Sequence, residues 1–148
     1  MKTLKEIAKK LPLVQEYLIS SNEIYKLFEV SFDKIMVSEK EIFFSWNPKK
    51  PEKFQAYQNI SHGGIILFLA DSVGILAMVK AAKQNKRAYT VNILKNSFVS
   101  LLKLGDRFSK VFIKGKITDI KKDTLVMEVH ISQNEKNIFY SRIKYIFK

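Results

Sequence analysis

The sequence contains no cysteine, and its 148 residues include only two histidines. The absence of cysteine excludes a disulfide framework, a thiolate metal site and a cysteine nucleophile. His62 and His130 lie far apart and lack the ligand spacing of a metal centre, so no metal is expected. The first ten residues are charged and lack the apolar core of a signal peptide. The longest apolar run, 65–79, contains Asp71 and Ser72 and is shorter than the ~18 residues of a membrane span. We therefore expect a cytoplasmic protein that does not enter the membrane.

Length and composition indicate a single domain, residues 1–148. The chain is 47% hydrophobic and shows no repeat or linker, so it can bury an ordinary core. Its formal net charge of +12 suits an anionic partner such as nucleic acid, anionic lipid or a phosphate-bearing ligand. Lysines spread along the whole chain also have a simpler role in keeping the protein soluble. The usual nucleic-acid-binding signatures do not occur.

The hydrophobic pattern divides the chain into a helical start and a strand-rich remainder. Residues 1–29 favour two helices: Thr3 and Glu6 have capping-box spacing, as do Ser20 and Glu23, and Pro12 ends the first helix. Residues 30–46 favour two short strands, and 54–61 an irregular segment. Residues 63–84 predict one long helix that is apolar nearly all round and therefore buried on most sides. Four antiparallel strands joined by hairpins follow, with turns at 105–106, 121–123 and 134–137. This order predicts an α+β fold.

Two segments carry a family resemblance. Residues 62–71 (HGGIILFLAD) combine a His-Gly-Gly helix start with a Leu-Ala-Asp sequence, and residues 96–106 (NSFVSLLKLGD) end in a Gly-Asp turn. Together with the strand order, they resemble the hotdog-fold thioesterases, in particular the acyl-CoA thioesterases of the phenylacetate-degradation type. The resemblance covers roughly residues 30–148. It implies a curved antiparallel sheet wrapped around one long helix, with residues 1–29 as an N-terminal helical extension.

The start of the long helix is a candidate oxyanion hole. The amides that follow His62 have no partner within the helix, and the helix dipole adds positive potential there. Gly63 and Gly64 have no side chain to block a thioester oxygen that approaches these amides. The resemblance assigns this role to Gly63, while His62 would orient the thioester or hold the loop. The alternative is that the glycines only allow a tight entry into the helix.

Asp71 is the candidate catalytic carboxylate. Burial in so apolar a helix should raise its pKa and make it a better base. The resemblance implies that it acts as the nucleophile or as the general base; a buried ion pair or an interface hydrogen bond is the alternative. His62 and Asp71 are nine residues apart and therefore lie on opposite sides of a helix. Two subunits could supply one group each, as the resembling family does at its dimer interface. We expect a homodimer, or a tetramer of two dimers.

Further candidates would bind the substrate. Positions near the Asp71 face of the helix are Gly64, Leu67, Phe68, Gly74, Ile75 and Met78, and Gly74 would leave room for substrate. Ser100 falls where some relatives carry a water-positioning serine. Many relatives have an asparagine six residues before the histidine, where this chain has Ala56. Gln55, Gln58 or Asn59 would have to supply that amide. Candidates for the CoA phosphates are Lys83, Lys86, Arg87, Lys121 and Lys122, whereas His130 is expected on the surface.

The expected activity is hydrolysis of an acyl-CoA to a free acid and CoA, with no cofactor other than the CoA of the substrate. A non-catalytic acyl-CoA-binding protein is the main alternative, because the expected asparagine is missing. A hotdog dehydratase fits the motif less well. Nucleic-acid binding is disfavoured and would require aromatic and basic residues on an open sheet face, of which the only sign is Tyr140, Arg142 and Lys144. The acyl group is left open, since an aryl or a fatty-acyl pocket could be lined by Phe28, Phe32, Phe43, Phe44 and Trp46.

Overall fold

The computed structural model describes residues 1–57, 60–105 and 110–148. A seven-stranded antiparallel sheet has the strand order β1-β2-β3-β7-β8-β9-β6, and a separate two-stranded sheet pairs β4 with β5. The strands are β1 (Lys2–Thr3), β2 (Met36–Val37), β3 (Glu41–Trp46), β4 (Gln55–Tyr57), β5 (Ile60–Ser61), β6 (Ala88–Phe98), β7 (Val111–Ile120), β8 (Thr124–Gln133) and β9 (Lys136–Phe147). The expected α+β class is confirmed.

The helices comprise an N-terminal pair and a central pair. They are α1 (Leu4–Ala8), α2 (Pro12–Leu27), α3 (Gly63–Asp71) and α4 (Ile75–Ala82), with short 3₁₀ turns at Phe32–Lys34, Pro51–Phe54 and Ser72–Gly74. The Thr3 hydroxyl accepts a hydrogen bond from the Glu6 amide at 3.2 Å, which confirms the first cap. The expected cap at Ser20 is wrong. The hydroxyl of Ser20 instead donates to the Tyr17 carbonyl inside α2, at 3.1 Å.

The central helix runs from Gly63 to Ala82, interrupted only by the 3₁₀ turn. Its sheet-facing residues Leu69, Val73 and Leu76 are fully buried. By length and composition this 20-residue helix could cross a membrane, since its best 18-residue window has a mean hydropathy of 2.0, but two-thirds of that window is buried inside the fold. The length argument from the sequence missed this because it counted only residues 65–79 and left out the flanking residues of the helix. The burial is that of a core helix.

A glycine in the sheet fixes how closely the helix approaches. A Cβ built on Gly115 of β7 would lie 2.1 Å from Cγ1 of Val73, in the 3₁₀ turn. Only a residue without a side chain permits this contact. The close approach sets the height of the helix above the sheet at Val73, two residues after Asp71.

Three strand predictions need correction. β6 does not form a hairpin with β7; it pairs with β9, and β7 lies between β3 and β8. The short link from α4 leads into β6 at one edge of the sheet. The chain must then cross to the position between β3 and β8, where β7 begins. The first predicted strand is mostly the 3₁₀ turn Phe32–Lys34 followed by the two residues of β2, and the segment expected to be irregular contains β4 and β5. The strand predicted to follow the turn at 105–106 begins within residues 106–109, which lie outside the described residues.

Candidate active site

One side of the central helix is left open by the sheet. Gly64, Leu67 and Asp71 are exposed there, while Gly74 and Met78 are half-buried. We call these five residues the open helix face. Ile75, which was predicted to lie near this face, is buried at 1% exposure.

The loop before α3 is held by its backbone. The His62 amide donates to the Phe54 carbonyl at 2.9 Å, and the His62 carbonyl accepts from the Ile65 amide at 3.1 Å. The Ser61 hydroxyl also donates to the His62 carbonyl, at 3.0 Å. The His62 side chain is exposed and makes no capping hydrogen bond. The loop position therefore does not depend on the imidazole, which is free to contact a ligand.

No contact with a described residue requires the two glycines of the motif. Within residues 1–57, 60–105 and 110–148, a Cβ added at Gly63 or Gly64 would meet no atom within 4 Å. Neither glycine has a positive φ, so the backbone conformation would accept other residues. A tight entry into the helix therefore does not explain them. The space in front of their amides is open, and those amides have no partner inside the helix.

Asp71 ends α3 on the open helix face. In the isolated chain the residue is exposed as a whole, yet partial desolvation of its carboxyl raises the pKa above the ordinary aspartate value. The direction of the predicted shift is thereby confirmed. Among the described residues no cation lies within ion-pair distance of Asp71, which disfavours the ion-pair alternative. The carboxylate is left available as a base or nucleophile.

The space beside Gly74 is occupied by Tyr145 of β9. A Cβ on Gly74 would lie 3.0 Å from the Tyr145 hydroxyl oxygen, so Tyr145 fills the room that was expected for substrate at this glycine. Tyr145 is 4% exposed, and its hydroxyl has no hydrogen-bond partner within the described part of the chain. Burial and the nearby negative charge of Asp71 both raise the pKa of Tyr145. Sequence reasoning missed this contact, because it depends on the packing of β9 under the helix.

Phe68 belongs to an aromatic cluster instead of the open helix face. Its ring stacks on Phe28 with centroids 4.1 Å apart and lies 5.3 Å from the ring of Tyr25, both in or next to α2. Phe28 also stacks on Phe54 at 6.1 Å, next to the carbonyl that anchors His62. The N-terminal extension thus supports the motif loop. Of the other aromatic residues proposed for an acyl pocket, Phe44 and Trp46 are core residues at 2% and 1% exposure.

The remaining predicted site residues are dispersed. Gln58 and Asn59 lie outside the described residues. The Gln55 side-chain amide donates to the Leu104 carbonyl at 3.0 Å. Ser100 follows β6, is half-buried and points its amide at the Ile138 carbonyl, 3.3 Å away.

Three of the five phosphate candidates are already ion-paired. Lys83 contacts Glu39, Lys86 contacts Asp123 and Arg87 contacts Glu16, at 3.3, 2.6 and 3.1 Å respectively. Lys121 and Lys122 are exposed. The cation that would meet a CoA phosphate therefore stays a prediction. No group of three potential metal ligands occurs in residues 1–57, 60–105 and 110–148.

Strand β6 forms an edge of the sheet that the sequence did not reveal. Within the described residues it has a partner strand, β9, on one side only. Large apolar side chains along it are between 44% and 56% exposed: Tyr89, Val91, Ile93, Leu94 and Phe98. An edge strand of eleven residues that carries five exposed large apolar side chains is a candidate surface for pairing with another chain.

The outer face of the sheet is mixed in charge. Tyr140 donates to Glu128 at 3.1 Å, and the exposed His130 ring lies 5.0 Å from the ring of Tyr140, so His130 is on the surface as expected. Glu128 is in register with Lys116 on one side and Arg142 on the other. Opposite charges that alternate across strands are typical of a solvated face and give the nucleic-acid alternative little support.

Comparison with known proteins identifies the family. The family model described as "Thioesterase superfamily" matches residues 58–139, more than half of the chain. The fold is the hotdog fold, and the chain belongs to the thioesterase superfamily. No curated protein matches the chain.

Solved structures share the fold at low sequence identity. The E. coli PaaI protein from the phenylacetic acid degradation operon has a TM-score of 0.68 at 15% identity, covering 97% of this chain and 94% of its own. A Streptococcus pneumoniae thioesterase protein solved with coenzyme A has a TM-score of 0.63 at 20% identity, covering 77% and 84%. The protein smu.793 from Streptococcus mutans, solved with acetyl CoA, has a TM-score of 0.62 at 18% identity, covering 78% and 87%.

Proposed function

We propose that this protein is a cytoplasmic acyl-CoA thioesterase that hydrolyses a CoA thioester to a free acid and CoA, without a further cofactor. The observation that carries the proposal is the open helix face. It carries Gly64 and a carboxylate with a raised pKa, and Gly63 directly precedes it. Among the described residues, no packing contact requires either glycine and no cation pairs with the carboxylate. Two structural neighbours, from S. pneumoniae and S. mutans, were solved with coenzyme A and with acetyl CoA, which supports this class of ligand.

In the proposed mechanism the Gly63 amide donates a hydrogen bond to the thioester oxygen, and His62 orients the thioester. The negative charge that develops on this oxygen is stabilised by the amide and by the start of α3. Asp71 either takes a proton from the attacking water or attacks the carbonyl carbon itself. In the first route the water oxygen bonds to the carbonyl carbon, the carbon–sulfur bond breaks, and Asp71 passes the proton to the CoA sulfur. In the second route CoA leaves as the thiolate while a mixed anhydride forms on Asp71. Water then hydrolyses the anhydride to the free acid, and its proton converts the thiolate into the thiol. Substrate contacts are proposed for Gly64, Ser100 and an amide from Gln58 or Asn59, but no longer for Phe68, whose ring packs on Phe28, or for Gly74, which is covered by Tyr145.

The site needs two copies of the chain in this proposal. His62 and Asp71 lie at opposite ends of α3 and on different sides of it, so one subunit cannot easily present both to one carbonyl. Edge-to-edge pairing of two β6 strands would continue the sheet and cover the exposed apolar side chains. The Gly63 amide of one subunit would then face the Asp71 of the other. A tetramer of two such dimers stays a prediction.

A non-catalytic acyl-CoA-binding protein is the second candidate, and one observation favours it. The Gln55 amide is committed to the Leu104 carbonyl, so in this conformation it does not replace the asparagine that many relatives carry. If neither Gln58 nor Asn59 replaces it, the attacking water lacks that hydrogen bond. The oxyanion hole would still bind a thioester.

Thiol release from short, long and aryl acyl-CoAs tests the proposal. Asp71→Asn and Asp71→Ala should lose turnover, whereas the exposed Asp119→Asn serves as the matched control and should retain it. Gly63→Ala should also lose turnover, because the added methyl obstructs the approach of the thioester oxygen, and it should keep its stability, because that methyl meets no atom of the described residues. Turnover that is equal in wild type and both Asp71 variants contradicts the mechanism. Bound but unhydrolysed acyl-CoA in the wild type favours the second candidate.

A further inference from the structure

A large cleft lies at the end of the fold opposite β6. It encloses about 880 Å³ between the N-terminal segment, the turn from β2 to β3, the end of α4 and β7. Its floor is formed by Ile7, Leu11, Val37 and Val79, and its rim carries lysines. We call it the distal cleft. It shares no residue with the open helix face, so it is separate from the proposed thioesterase site.

The floor of the distal cleft is aliphatic. Val37 and Val79 are core residues at 3% and 2% exposure, and Ile7 and Leu11 pack partly buried against the core. None of the described residues that line the cleft is aromatic. This part of the surface therefore suits a flexible alkyl chain better than a nucleobase or an aryl group, which would stack on a ring.

The rim of the cleft is positively charged. Six lysines (Lys2, Lys10, Lys40, Lys80, Lys83 and Lys116) face three glutamates (Glu6, Glu39 and Glu41). Glu39 contacts Lys80 at 2.7 Å and Lys83 at 3.3 Å, and Glu41 contacts Lys114 outside the cleft at 3.4 Å. Lys10 and Lys40 make no ion pair with any described residue. The cleft thus combines an apolar floor with cations that lack a counter-charge.

We propose that the distal cleft binds an amphiphile with one aliphatic chain and a carboxylate head. The chain lies on the aliphatic floor, and the carboxylate accepts hydrogen bonds from the ammonium groups of Lys10 and Lys40. The volume falls within the range of about 300–1,000 Å³ that is typical of small-molecule sites. A carboxylate head is complementary to the excess positive charge of the rim, whereas a neutral or cationic head is not.

Glu39 controls the strength of this site. The Lys80 side chain is only 12% exposed, so its alkyl part is buried while Glu39 holds its ammonium group at the rim. The contacts with Lys80 and Lys83 also lower the pKa of Glu39, which keeps it ionised. Glu39 therefore adds a permanent negative charge to the rim and neutralises two of its lysines, both of which oppose an incoming carboxylate. Glu39→Gln removes this charge and should tighten binding by about 3-fold, the size of an exposed charge contact.

Calorimetric titration of the full chain with dodecanoate tests the proposal. Wild type should bind dodecanoate, and should bind butanoate and dodecylamine much more weakly. Lys10→Ala/Lys40→Ala should weaken dodecanoate binding by about 10-fold, as expected for the loss of two exposed charge contacts of about 3-fold each. The matched control Lys110→Ala/Lys136→Ala removes two exposed lysines outside the cleft and should leave dodecanoate binding unchanged.

Several results would overturn the proposal. These are an absence of dodecanoate binding, equal affinity in both double variants, or equal binding of dodecylamine. Displacement of dodecanoate by free CoA would place the ligand in the thioesterase site instead. Because no step depends on hydrolysis, a protein without thioesterase activity can still pass every arm of this test.

Discussion

Replacing Gly115 with alanine should force the central helix away from the sheet. The new Cβ would lie 2.1 Å from Cγ1 of Val73 and 2.9 Å from side-chain carbons of Ile42 and Met127. Carbon atoms pack best at about 3.5–4.0 Å, so Val73 would have to retreat by roughly 1.4 Å. Overpacking of this kind costs about 1–3 kcal/mol. For a chain of this size, the midpoint of thermal unfolding should fall by about 2–12 °C.

The strain should be relieved by shortening Val73. In a double-mutant cycle, Gly115→Ala/Val73→Ala should be less destabilised than the sum of the single variants, with a coupling of at least about 1 kcal/mol. Asp71 precedes Val73 by two residues, so Gly115→Ala should also lower thiol release from acyl-CoA. Circular dichroism on heating and in urea measures the stability. Additive effects, or an unchanged midpoint in Gly115→Ala, would refute the close contact between helix and sheet.

Three further predictions concern the edge strand and the polar groups of the helix region. Ile93→Lys places a charge on the exposed edge of β6 and should turn a dimer into a monomer in sedimentation velocity; an unchanged mass contradicts pairing through β6. Tyr145→Phe removes a buried hydroxyl that has no hydrogen-bond partner among the described residues, so the free energy of unfolding in urea should stay equal or rise by about 1 kcal/mol. A fall in this free energy would mean that the hydroxyl does have a hydrogen-bond partner. The folded protein binds the Asp71 proton more tightly than the unfolded chain does. The contribution of this proton to the free energy of unfolding is therefore present at low pH and is lost as the pH rises through the raised pKa. Asp71→Asn should therefore unfold at a higher temperature than wild type at neutral pH, and the acid limb of kcat/KM in wild type should lie above the ordinary aspartate range.

Local sequence patterns predicted where the helices and strands of this fold lie better than which strands are adjacent in the sheet. The apolar stretch of the central helix and the alternation along β8 and β9 depend on nearby residues, and both were found where expected. Alternation shows which residues share a face of a strand, but not which strand lies beside it. The position of β6 at the edge follows from the chain crossing between β6 and β7. Its apolar residues therefore gave no sign in the sequence that they would be exposed.

The candidate site likewise combines residues that a contiguous motif identifies with residues that only tertiary packing brings together. The segment from His62 to Asp71 is contiguous, so its glycines and carboxylate could be identified from the motif and its likeness to a family. Phe68 was expected to contact substrate, but its ring packs on Phe28, forty positions earlier in the chain. Tyr145 reaches Gly74 only because β9 passes under the helix. Contacts of this kind arise from tertiary packing and have no local pattern.

Three features of the single chain cost stability. The first is a pair of glycines at the start of α3 that no contact with a described residue explains. The second is a desolvated Asp71 without an ion-pair partner among the described residues, and the third is an edge strand with exposed apolar side chains. Tyr145 connects the three, since it lies opposite Thr90 of β6 and its hydroxyl meets Gly74 of the helix. The open helix face and the edge strand are therefore one strand apart.

A second copy of the chain that pairs along β6 would meet all three features at once, which is the simplest reason for them to coexist. Such a dimer builds the thioester site from both subunits, so binding of the ligand and association must be linked. Coenzyme A should then shift the dissociation of the dimer to lower protein concentration in sedimentation experiments. A dimer whose dissociation is indifferent to saturating coenzyme A would have its ligand site within one subunit, and the shared site would have to be abandoned.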